Sequence, residues 1–234
     1  ETPRAFPLIL DFCNDCYNLQ LRHCLGEDLL YENYTYVTPK SESLELHYKV
    51  LLDYAAQKIE KFSNIDVIEV GSNSGELLKY FSKHVGSILG IDPAKNVSKI
   101  ANESGVETLN SFFNIEVAKT ITPIKKNIKL VIARHMFAHN ANPSDLLEGM
   151  EYLLGDDGLL FIENAYAIDT LMHGEFDQIY HEHMFYFSEL NISALMQKFD
   201  FELLDFSHSP VHGGSGVFIC GKKGKHTPNA SVQD

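Results

Sequence analysis

The sequence predicts an α/β protein whose mainly parallel sheet is covered by helices on both faces. Short apolar runs of strand length recur at 66–71, 87–92, 130–133 and 159–163, each bounded by glycine or polar residues. Helical patterns lie between these runs at 76–84, 94–104 and 144–154. Strands that alternate with helices form βαβ units, and their right-handed crossovers lay the strands parallel in one sheet.

Composition and charge restrict the class of protein. The 234 residues are 44% hydrophobic, which is enough for a sizeable core in one or two domains. The formal net charge is -13, and no basic run is longer than Lys125-Lys126 or Lys222-Lys223, so a nucleic acid partner is not expected. No apolar run reaches the roughly 20 residues of a membrane span, and residues 1–12 lack a leader pattern. We therefore expect a cytoplasmic protein without a membrane partner.

The four cysteines do not form the framework of a disulfide-stabilised domain. Cys13, Cys16, Cys24 and Cys220 are few and unevenly spaced, so we expect reduced thiols. The Cys13-x-x-Cys16 spacing suits one edge of a tetrahedral zinc site, but such a site needs about four ligands, and His23 and Cys24 are the nearby candidates. Two ordinary thiols are the alternative interpretation.

The first predicted elements precede the sheet. Residues 34–39 are aromatic and β-branched and end in a proline, which predicts an extended segment. A helix should start near Ser41 and end at the polar turn of residues 63–64. Its apolar positions recur every three or four residues, namely Leu44, Tyr48, Leu51, Leu52, Ala55, Ile59 and Phe62. Further along, Asn142 and Pro143 predict the N-cap and first residue of another helix.

The end of the chain changes character. Ser188 predicts the cap of a helix that runs to about Phe199. Residues 201–207 and 216–221 then read as two strands with no long helix between them, which predicts an antiparallel hairpin joined by 210–214. The polar tail that follows is expected to be disordered.

A glycine-containing turn follows the first strand of the sheet. The pattern is Glu69-x-Gly71-x-x-x-Gly75, with Ser72 and Asn73 between the glycines. It differs from the G-x-G-x-x-G loop that binds a pyrophosphate, and no basic residue lies nearby. Hydroxyls, backbone groups and an acid would instead suit a cofactor with an amino acid moiety, a ribose and a sulfonium. The charge of Glu69 inside a buried strand predicts that it faces the loop N–H groups or the amino group of that cofactor.

The next two strand ends supply further candidates for cofactor contacts. Asp92 ends the second strand and could accept both ribose hydroxyls, or it could cap the next helix with Pro93 at its first position. Phe112 follows a further strand, counted here as the third, which is expected between the runs at 87–92 and 130–133 and makes 130–133 the fourth strand. There adenine would stack on Phe112 or be held by Asn110 or Ser111. A core aromatic is the alternative role for Phe112.

Eight motifs spread along the chain resemble one enzyme family. They are Cys13-x-x-Cys16-x-x-x-Gln20-Leu21, Tyr34-x-Tyr36 with Ser41 and His47, Glu69-Val-Gly-Ser-Asn73, Gly90-Ile-Asp-Pro-Ala94, Phe112-Phe113, Phe137-Ala-His139, Phe176-Asp-x-Ile-Tyr-His-Glu-His183 and His212-Gly-Gly-Ser215. The chain resembles the S-adenosylmethionine-dependent sugar C-methyltransferases, which act on nucleotide-linked 4-keto-6-deoxyhexoses. The resemblance implies a class I methyltransferase fold, a Rossmann-like sheet that is mostly parallel with a C-terminal antiparallel hairpin. It also implies a small cysteine-containing N-terminal lobe.

The resemblance also implies a division of the chain. Residues 1–40 would form the N-terminal lobe with a remnant zinc-binding segment, 41–225 the methyltransferase domain, and 226–234 a disordered tail. The family has another cysteine pair before the position of Glu1 and a large segment after Lys225, so we expect this chain to be truncated, with an incomplete zinc site at Cys13 and Cys16. Ser74 and Val217 stand where the family tends to have Asp and Arg, which bears on the identity of the substrate.

The resemblance assigns catalytic roles to one cluster. It implies that His183 is the base that takes the C3 proton of the sugar, with Tyr180 as enolate stabiliser and Glu182 as orienter, and His181 beside them. A histidine is suited to this task because its ordinary pKa lies near neutral pH. Two alternatives remain: the histidines of His181-Glu182-His183, two apart, could share a face and bind a metal, or both could fill polar niches.

Two further sets of residues complete the predicted site. Expected to contact the substrate are Tyr36, Ser41, His212 and Gly213. His139 is carried over by the resemblance, and His135 is placed by its position; both flank the end of the fourth strand, where residues face the methyl group of the cofactor.

The sequence thus predicts transfer of a methyl group from S-adenosylmethionine to carbon, C3, of a nucleotide-linked 4-keto-6-deoxy sugar through an enolate. An O- or N-methyltransferase of a small metabolite is one alternative. A non-catalytic module that binds S-adenosylmethionine or a nucleotide sugar is another. A monomer or weak homodimer is expected.

Overall fold

The fold is built on a seven-stranded sheet. The structure is a computed structural model that describes residues 5–31 and 34–232, except for the side chains of Glu27 and Asp28. Its strands are β1 (Leu10–Phe12), β2 (Leu19–Leu21), β3 (Asp66–Val70), β4 (Ser87–Ile91), β5 (Thr108–Leu109), β6 (Ile128–Arg134), β7 (Leu159–Ala165), β8 (Phe185–Tyr186), β9 (Phe201–Ser209) and β10 (Ser215–Lys222). The large sheet has the order β5-β4-β3-β6-β7-β10-β9. β3 to β7 run parallel and β10 is antiparallel to both of its neighbours, as predicted.

Helices cover both faces of this sheet. They are α1 (Glu27–Tyr31), α2 (Glu42–Lys58), α3 (Glu76–Phe81), α4 (Lys95–Glu103), α5 (Ile115–Ile121), α6 (Pro143–Leu153), α7 (Ala167–His173) and α8 (Glu189–Met196). Along β6, Leu130 and Ile132 pack with α2 and α3, whereas Val131 and Ala133 pack with α5, α6 and α8. Successive side chains of a strand point to opposite faces, so each buried strand contributes to two apolar layers.

The helix starts follow the predicted caps with one exception. The Ser41 side chain accepts a hydrogen bond from Leu44 N at 3.3 Å, and α2 begins at the next residue. Ser188 and Asn191 form a reciprocal capping box for α8. Asn142 is the N-cap of α6 and Pro143 is its first residue, but the Asn142 side chain makes no capping hydrogen bond. The position of that cap is correct and its expected side-chain contact is not formed.

A small sheet joins the N-terminal segment to the rest of the chain. β1 pairs antiparallel with β2, and β2 pairs antiparallel with β8, where Leu19 lies opposite Tyr186. β8 directly follows the histidine-rich cluster. The N-terminal segment is therefore fixed against the part of the chain that carries the predicted catalytic residues.

The tail differs from the disorder expected of 226–234. Asn229 and Ser231 both donate hydrogen bonds to the carboxylate of Asp205 on β9. Val232 packs against the apolar layer beneath the sheet. These contacts order the tail through residue 232, and 233–234 lie outside the described residues. Across the described ranges, no helix has the length and apolar character needed to span a membrane.

Candidate active site

A cleft of about 450 Å³ opens at the carboxyl ends of the parallel strands. Its wall is formed by the residues that follow β3, β4, β6 and β7, together with the segment 34–38 and residues near the end of α7. In open α/β sheets this is where ligands bind, because the strand-to-helix turns meet there. The cleft therefore lies where the sequence predicted the cofactor.

The loop after β3 adopts the backbone that its glycines predict. Gly71 has φ +72° and Gly75 has φ +78°, in the left-handed region that favours glycine. A Cβ at Gly75 would lie 2.8 Å from a methyl group of Val106, so this glycine serves the packing of α3. Gly71 lines the cleft, but Gly75 does not. Gly75 therefore has a structural role in the loop, and its cofactor contact stays a prediction.

Asp92 fixes the shape of this loop. Its Oδ2 accepts a hydrogen bond from Asn73 N and its Oδ1 accepts one from Ala94 N, both at 2.9 Å. The first helical residue after it is Lys95, so the alternative in which Pro93 starts the helix is wrong. A carboxylate oxygen has a second lone pair, and Asp92 and Pro93 both line the cleft. A ribose contact remains compatible with this geometry.

The extended segment 34–38, called the strap below, lies across the loop. Thr38 N donates to Asn73 Oδ1 at 2.9 Å, and Asn73 Nδ2 donates to Tyr36 O at 3.0 Å. Asn96 Nδ2 holds Tyr34 O at 2.7 Å. The strap thus closes one side of the cleft, and side-chain amides of the cofactor loop and of α4 hold it in place.

Two buried charges lie at the floor of the cleft. Glu69 is 3% exposed, and among the described residues its Oε2 has no hydrogen-bond partner, so the predicted bond to the loop N–H groups is not formed. Burial raises the pKa of Glu69 to about 8, although Arg134 opposes the shift. The Arg134 guanidinium lies 4.9 Å from the ring centre of Tyr48, and its Nη1 lacks a partner in the described chain.

Unpartnered buried polar atoms are costly, so they indicate a polar ligand. Within the described residues such atoms include Glu69 Oε2, Ser72 Oγ and Arg134 Nη1, all in side chains that line the cleft. A cofactor with charged and hydroxyl groups would supply their missing partners. S-adenosylmethionine, whose amino acid end carries an ammonium and a carboxylate, fits this set of groups.

His183 is held in one tautomer. A carbonyl oxygen only accepts, so the contact of 2.9 Å between His183 Nδ1 and Gln178 O places the proton on Nδ1. The bare Nε2 then accepts a hydrogen bond from the Tyr180 hydroxyl at 2.8 Å. Burial lowers the pKa of His183 to about 4, which keeps the imidazole neutral near neutral pH. The same burial raises the pKa of Tyr180 to about 12, so the phenol stays protonated.

The neighbours of His183 are divided between the cleft and its exterior. The ring of His139 lies 5.0 Å from that of His183, and burial lowers its pKa well below the ordinary value. Glu182 lines the cleft and accepts a hydrogen bond from the Tyr34 hydroxyl at 3.5 Å. His181 does not line the cleft and its ring contacts Phe6. The two histidines therefore do not share a site, and the metal-binding alternative for them is not supported.

A second buried cluster lies beside the floor, around Glu163 at the end of β7. The Glu163 side chain is 1% exposed, and His47 Nε2 lies 2.9 Å from its Oε1 and 3.0 Å from its Oε2. Arg134 Nε is 3.3 Å from Oε2, and His135 Nε2 is 3.6 Å from Oε1. Burial opposes ionisation, but the imidazoles of His135 and His47 and the charge of Arg134 hold the pKa of Glu163 well below its usual range.

Most of the predicted site residues meet in this one cleft. Those that line it are Tyr36, Glu69, Gly71, Ser72, Asn73, Asp92, Pro93, Ser111, Phe112, His135, His139, Tyr180, Glu182, His183 and His212. Ser41 does not, because its hydroxyl caps α2. Gly213 lies outside the lining, in the turn between β9 and β10, with φ +87°. Ser41 and Gly213 are therefore not placed against a substrate.

Several lining residues were not assigned from the sequence. They are Tyr31, Tyr34, Tyr48, Arg134 and Gln178, with Glu163 just behind them. Arg134 and Glu163 are charged residues near the ends of apolar strands. The same signal singled out Glu69, so it could have identified them too.

The predicted zinc segment is not completed by other residues. Cys13 and Cys16 are both free thiols in the turn between β1 and β2. Over residues 5–31 and 34–232, no group of three or more histidine, cysteine or acidic side chains is arranged to hold a metal ion. A structural zinc needs about four ligands, so the residues described here do not fit one.

The chain was compared with known proteins. The model of the methyltransferase domain family matches residues 44–205. The C-methyltransferase NovU of Streptomyces niveus is 35% identical over 92% of this chain and 51% of its own length, so the chain spans about half of that curated relative.

Solved structures share the fold at low sequence identity. Magnesium protoporphyrin IX methyltransferase of Synechocystis PCC 6803, with bound S-adenosylhomocysteine, is 10% identical and superposes with a TM-score of 0.59 over 81% of this chain and 91% of its own. The YcgJ protein of Bacillus subtilis is 12% identical, with a TM-score of 0.58 over 75% of this chain and 97% of its own.

Proposed function

The chain belongs to the methyltransferase domain family, and from this premise we propose that it transfers a methyl group from S-adenosylmethionine to C3 of a nucleotide-linked 4-keto-6-deoxy sugar. The observation that carries the proposal is the neutral His183 imidazole, bonded to the Tyr180 hydroxyl at 2.8 Å in the wall of the cleft. Carbon methylation needs a base beside the cofactor, because a carbon acid must first lose a proton. The similarity to a named C-methyltransferase supports the same reaction type.

The charge of the cleft supports a cationic cofactor. Among the described lining residues, five acidic side chains face one guanidinium: Glu69, Glu76, Asp92, Asp177 and Glu182 against Arg134. Glu69 would hold the ammonium group, Asp92 the ribose hydroxyls and Phe112 the adenine. When bound, S-adenosylmethionine supplies a methyl group that a carbon nucleophile accepts as the C–S bond breaks. The excess of carboxylates favours a sulfonium inside the cleft.

We assign the proton transfer to His183 and Tyr180. When a ketone occupies the cleft, the Tyr180 hydroxyl turns from His183 to the ketone oxygen, which frees Nε2. The C3 proton then passes to Nε2, and the electron pair of the C–H bond forms the enolate, whose oxygen Tyr180 stabilises. General-base catalysis of this kind typically contributes about 10² to 10⁴ in rate. Gln178 O accepts from Nδ1–H and keeps the tautomer that this step requires.

Deuterium exchange tests the base. The wild-type protein, with a nucleoside diphosphate-linked 4-keto-6-deoxyhexose in D2O and without cofactor, is expected to exchange the C3 hydrogen. His183→Ala should slow this exchange by at least about 10²-fold. His84→Ala, which changes a histidine outside the cleft lining whose ring contacts Tyr80, is the control and should exchange normally. Exchange at the wild-type rate in His183→Ala would remove His183 from the mechanism.

The product distinguishes the remaining reaction types. A carbon NMR spectrum of the product made with ¹³C-methyl cofactor should show the new methyl group on carbon. A methyl group on oxygen or nitrogen would identify a heteroatom methyltransferase on the same fold. Binding of the cofactor without turnover of any keto sugar would identify a binding module.

A further inference from the structure

His135 is a strained residue in the wall of the cleft. It follows β6 directly, and its φ of +48° lies in the left-handed region that non-glycine residues rarely adopt. Within the described chain, five non-glycine residues have positive φ, and three of them, Asn73, His135 and His212, line the cleft. Strained backbone of this kind is retained where the surroundings enforce it, often at functional sites.

The strain places the imidazole between Glu163 and the cleft. His135 N donates to Glu163 O at 2.6 Å, which fixes the backbone, and His135 Nε2 lies 3.6 Å from Glu163 Oε1. This separation is longer than a hydrogen bond. In the described chain, the buried Nε2 of His135 has no hydrogen-bond partner. The hydrogen bond of His47 goes to Glu163 Oε2, and Oε1, which lies 2.9 Å from the same His47 nitrogen, faces His135. Catalytic hydrogen bonds are often long in a free enzyme and tighten when the ligand binds.

The other nitrogen of His135 is not used inside the protein. No hydrogen bond to Nδ1 occurs within residues 5–31 and 34–232, and the ring lines the cleft with its side chain 21% exposed. By contrast, both ring nitrogens of His183 are engaged, by Gln178 and Tyr180. Of these two imidazoles, His135 is the one that pairs with a buried carboxylate and leaves a nitrogen for a ligand.

We propose that His135 and Glu163 form a second acid–base pair of the site, in which His135 is a catalytic residue that donates from Nδ1–H to the ketone oxygen of the substrate. Glu163 is the positioning residue: its carboxylate accepts from Nε2–H and stabilises the imidazolium. The inference rests on the proposed function, because it assigns the second donor to the oxygen on which the enolate charge develops. A ketone oxygen has two lone pairs, so Tyr180 and His135 can both donate to it.

Several other titratable and charged groups surround His135 and Glu163. Glu163 lies on β7, His47 reaches the same carboxylate from α2, and Arg134 precedes His135 on β6. The ring of His212, from the turn between β9 and β10, lies 4.5 Å from that of His135. Partial burial and the charge of a protonated His135 lower the pKa of His212, and burial with the same charge lowers that of His183. Of the rings of His135, His183 and His212, that of His135 is the one with a nitrogen within 4 Å of a carboxylate oxygen.

An NMR measurement tests the pair independently of activity. In ¹⁵N-histidine-labelled full chain, the ring signals of His135 are identified by their loss in His135→Asn. Glu163→Gln should move the ¹⁵N signal of His135 Nε2, because the carboxylate that accepts from Nε2–H is lost. One control is His208→Asn, which removes an imidazole that lies 2.5 Å from Asp169 outside the cleft lining and should leave the His135 signals in place. Circular dichroism checks that each variant is folded. Unchanged ring signals of His135 in Glu163→Gln would refute the pair.

Kinetics test its role in the reaction. Asn tolerates positive φ, so His135→Asn should fold, bind the cofactor with wild-type affinity and lose about 10²- to 10³-fold in kcat, as for removal of one oxyanion donor. His208→Asn should keep the wild-type kcat. Weakened cofactor binding with unchanged kcat would make His135 a cofactor contact and overturn the proposal. If the wild type exchanges no sugar hydrogen, the proposed function fails, and the NMR measurement alone then decides whether the pair exists.

Discussion

Glu69 on β3 and Glu163 on β7, the strands on either side of β6, show how identical side chains come to opposite states of charge. Both are almost fully buried, which disfavours ionisation. Glu163 is surrounded by His47, His135 and Arg134, which hold its pKa well below the usual range. Glu69 lacks a comparable set of donors, so burial prevails and raises its pKa to about 8. Glu69 is therefore protonated in the ligand-free protein near neutral pH.

This difference predicts a pH-dependent affinity for S-adenosylmethionine. Glu69 must lose its proton to hold an ammonium group, so binding releases a proton below about pH 8. The affinity should rise by up to about tenfold per pH unit from pH 6 to 8 and then level off. Calorimetric titrations at several pH values would measure the slope. Glu69→Gln should weaken binding and abolish the slope.

The control for this experiment is Glu76→Gln, which removes another carboxylate of the same cleft. It is expected to retain the pH slope because Glu76 is not the fully buried acid. A wild-type affinity that stays constant from pH 6 to 8 would contradict the role of Glu69.

The same residues mark what the sequence could predict. Glu69 and Asp92 were assigned to the site because acids at the ends of apolar strands face the ligand edge of the sheet. His183 was assigned through the family resemblance, since it does not end a strand of this sheet. Ser41 was expected to contact the substrate, but a serine before a helix also suits a cap, and its hydroxyl caps α2. His181 alternates with His183 in the sequence, but the local turn directs its ring to Phe6.

At the scale of elements, the strap depends on one side chain of the cofactor loop. The side-chain oxygen of Asn73 accepts a hydrogen bond from Thr38 N, and its side-chain nitrogen donates one to Tyr36 O. Its own backbone N–H is held by Asp92. Motion of the strap is therefore coupled to the loop that would contact the cofactor.

Replacement of Asn73 by glycine is expected to loosen the strap. Glycine adopts the φ of +49° without strain, so the loop should keep its shape while the two side-chain bonds to the strap are lost. The amide of Thr38 should then exchange with solvent about 2 to 10 times faster, as for loss of one hydrogen bond. Hydrogen-exchange NMR measures this rate. The control is Asn96→Ala, which removes only the hydrogen bond to Tyr34 O and should leave the Thr38 amide protected. Unchanged exchange of the Thr38 amide in Asn73→Gly would contradict the coupling.

The long periodic elements and the apolar strands of the sheet were predicted, whereas the bounds of β5 and α5 were not. α2 and the β9–β10 hairpin follow their expected positions, although α2 ends at Lys58, before the turn that was expected to close it. β5 has two residues, which is too short for any periodicity, and pairing with β4 defines it. The seven-residue α5 starts at Asn114, whose side chain accepts from Val117 N, a cap that the analysis of the sequence did not use.

On the scale of the whole molecule, the sequence predicts the sheet but not the attachment of the N-terminal segment. Alternating strands and helices determine the parallel core because each crossover has one favoured hand. The pairing of β2 with β8 joins residues far apart in the chain and has no local signal. The same holds for Arg22, which reaches back to Asp11 to brace the small sheet. Long-range pairing of short strands is the part of this fold that pattern analysis could not supply.

The stability of the whole ligand-free protein should reflect Glu69. Its folded pKa, about 8, is above the unfolded value of 4.5, so its contribution is present below pH 4.5 and is lost as the pH rises through 8. Relative to Glu69→Gln, the wild type should lose about 2 to 4 kcal/mol of unfolding free energy between pH 5 and pH 8. Urea unfolding at both pH values gives this difference. If the unfolding free energies of the two proteins change with pH in the same way, Glu69 is not buried as described. The control is Glu103→Gln, which removes an exposed carboxylate and should follow the wild type.

The excess of carboxylates around the cleft has a consequence for turnover under the proposed function. The sulfonium enters as a cation and leaves as an uncharged thioether, so the attraction between the carboxylates and the sulfur is lost with the methyl group, whereas the contacts to the ammonium group and the ribose persist. The charge of the cleft should therefore hold the spent nucleoside less strongly than the methyl donor.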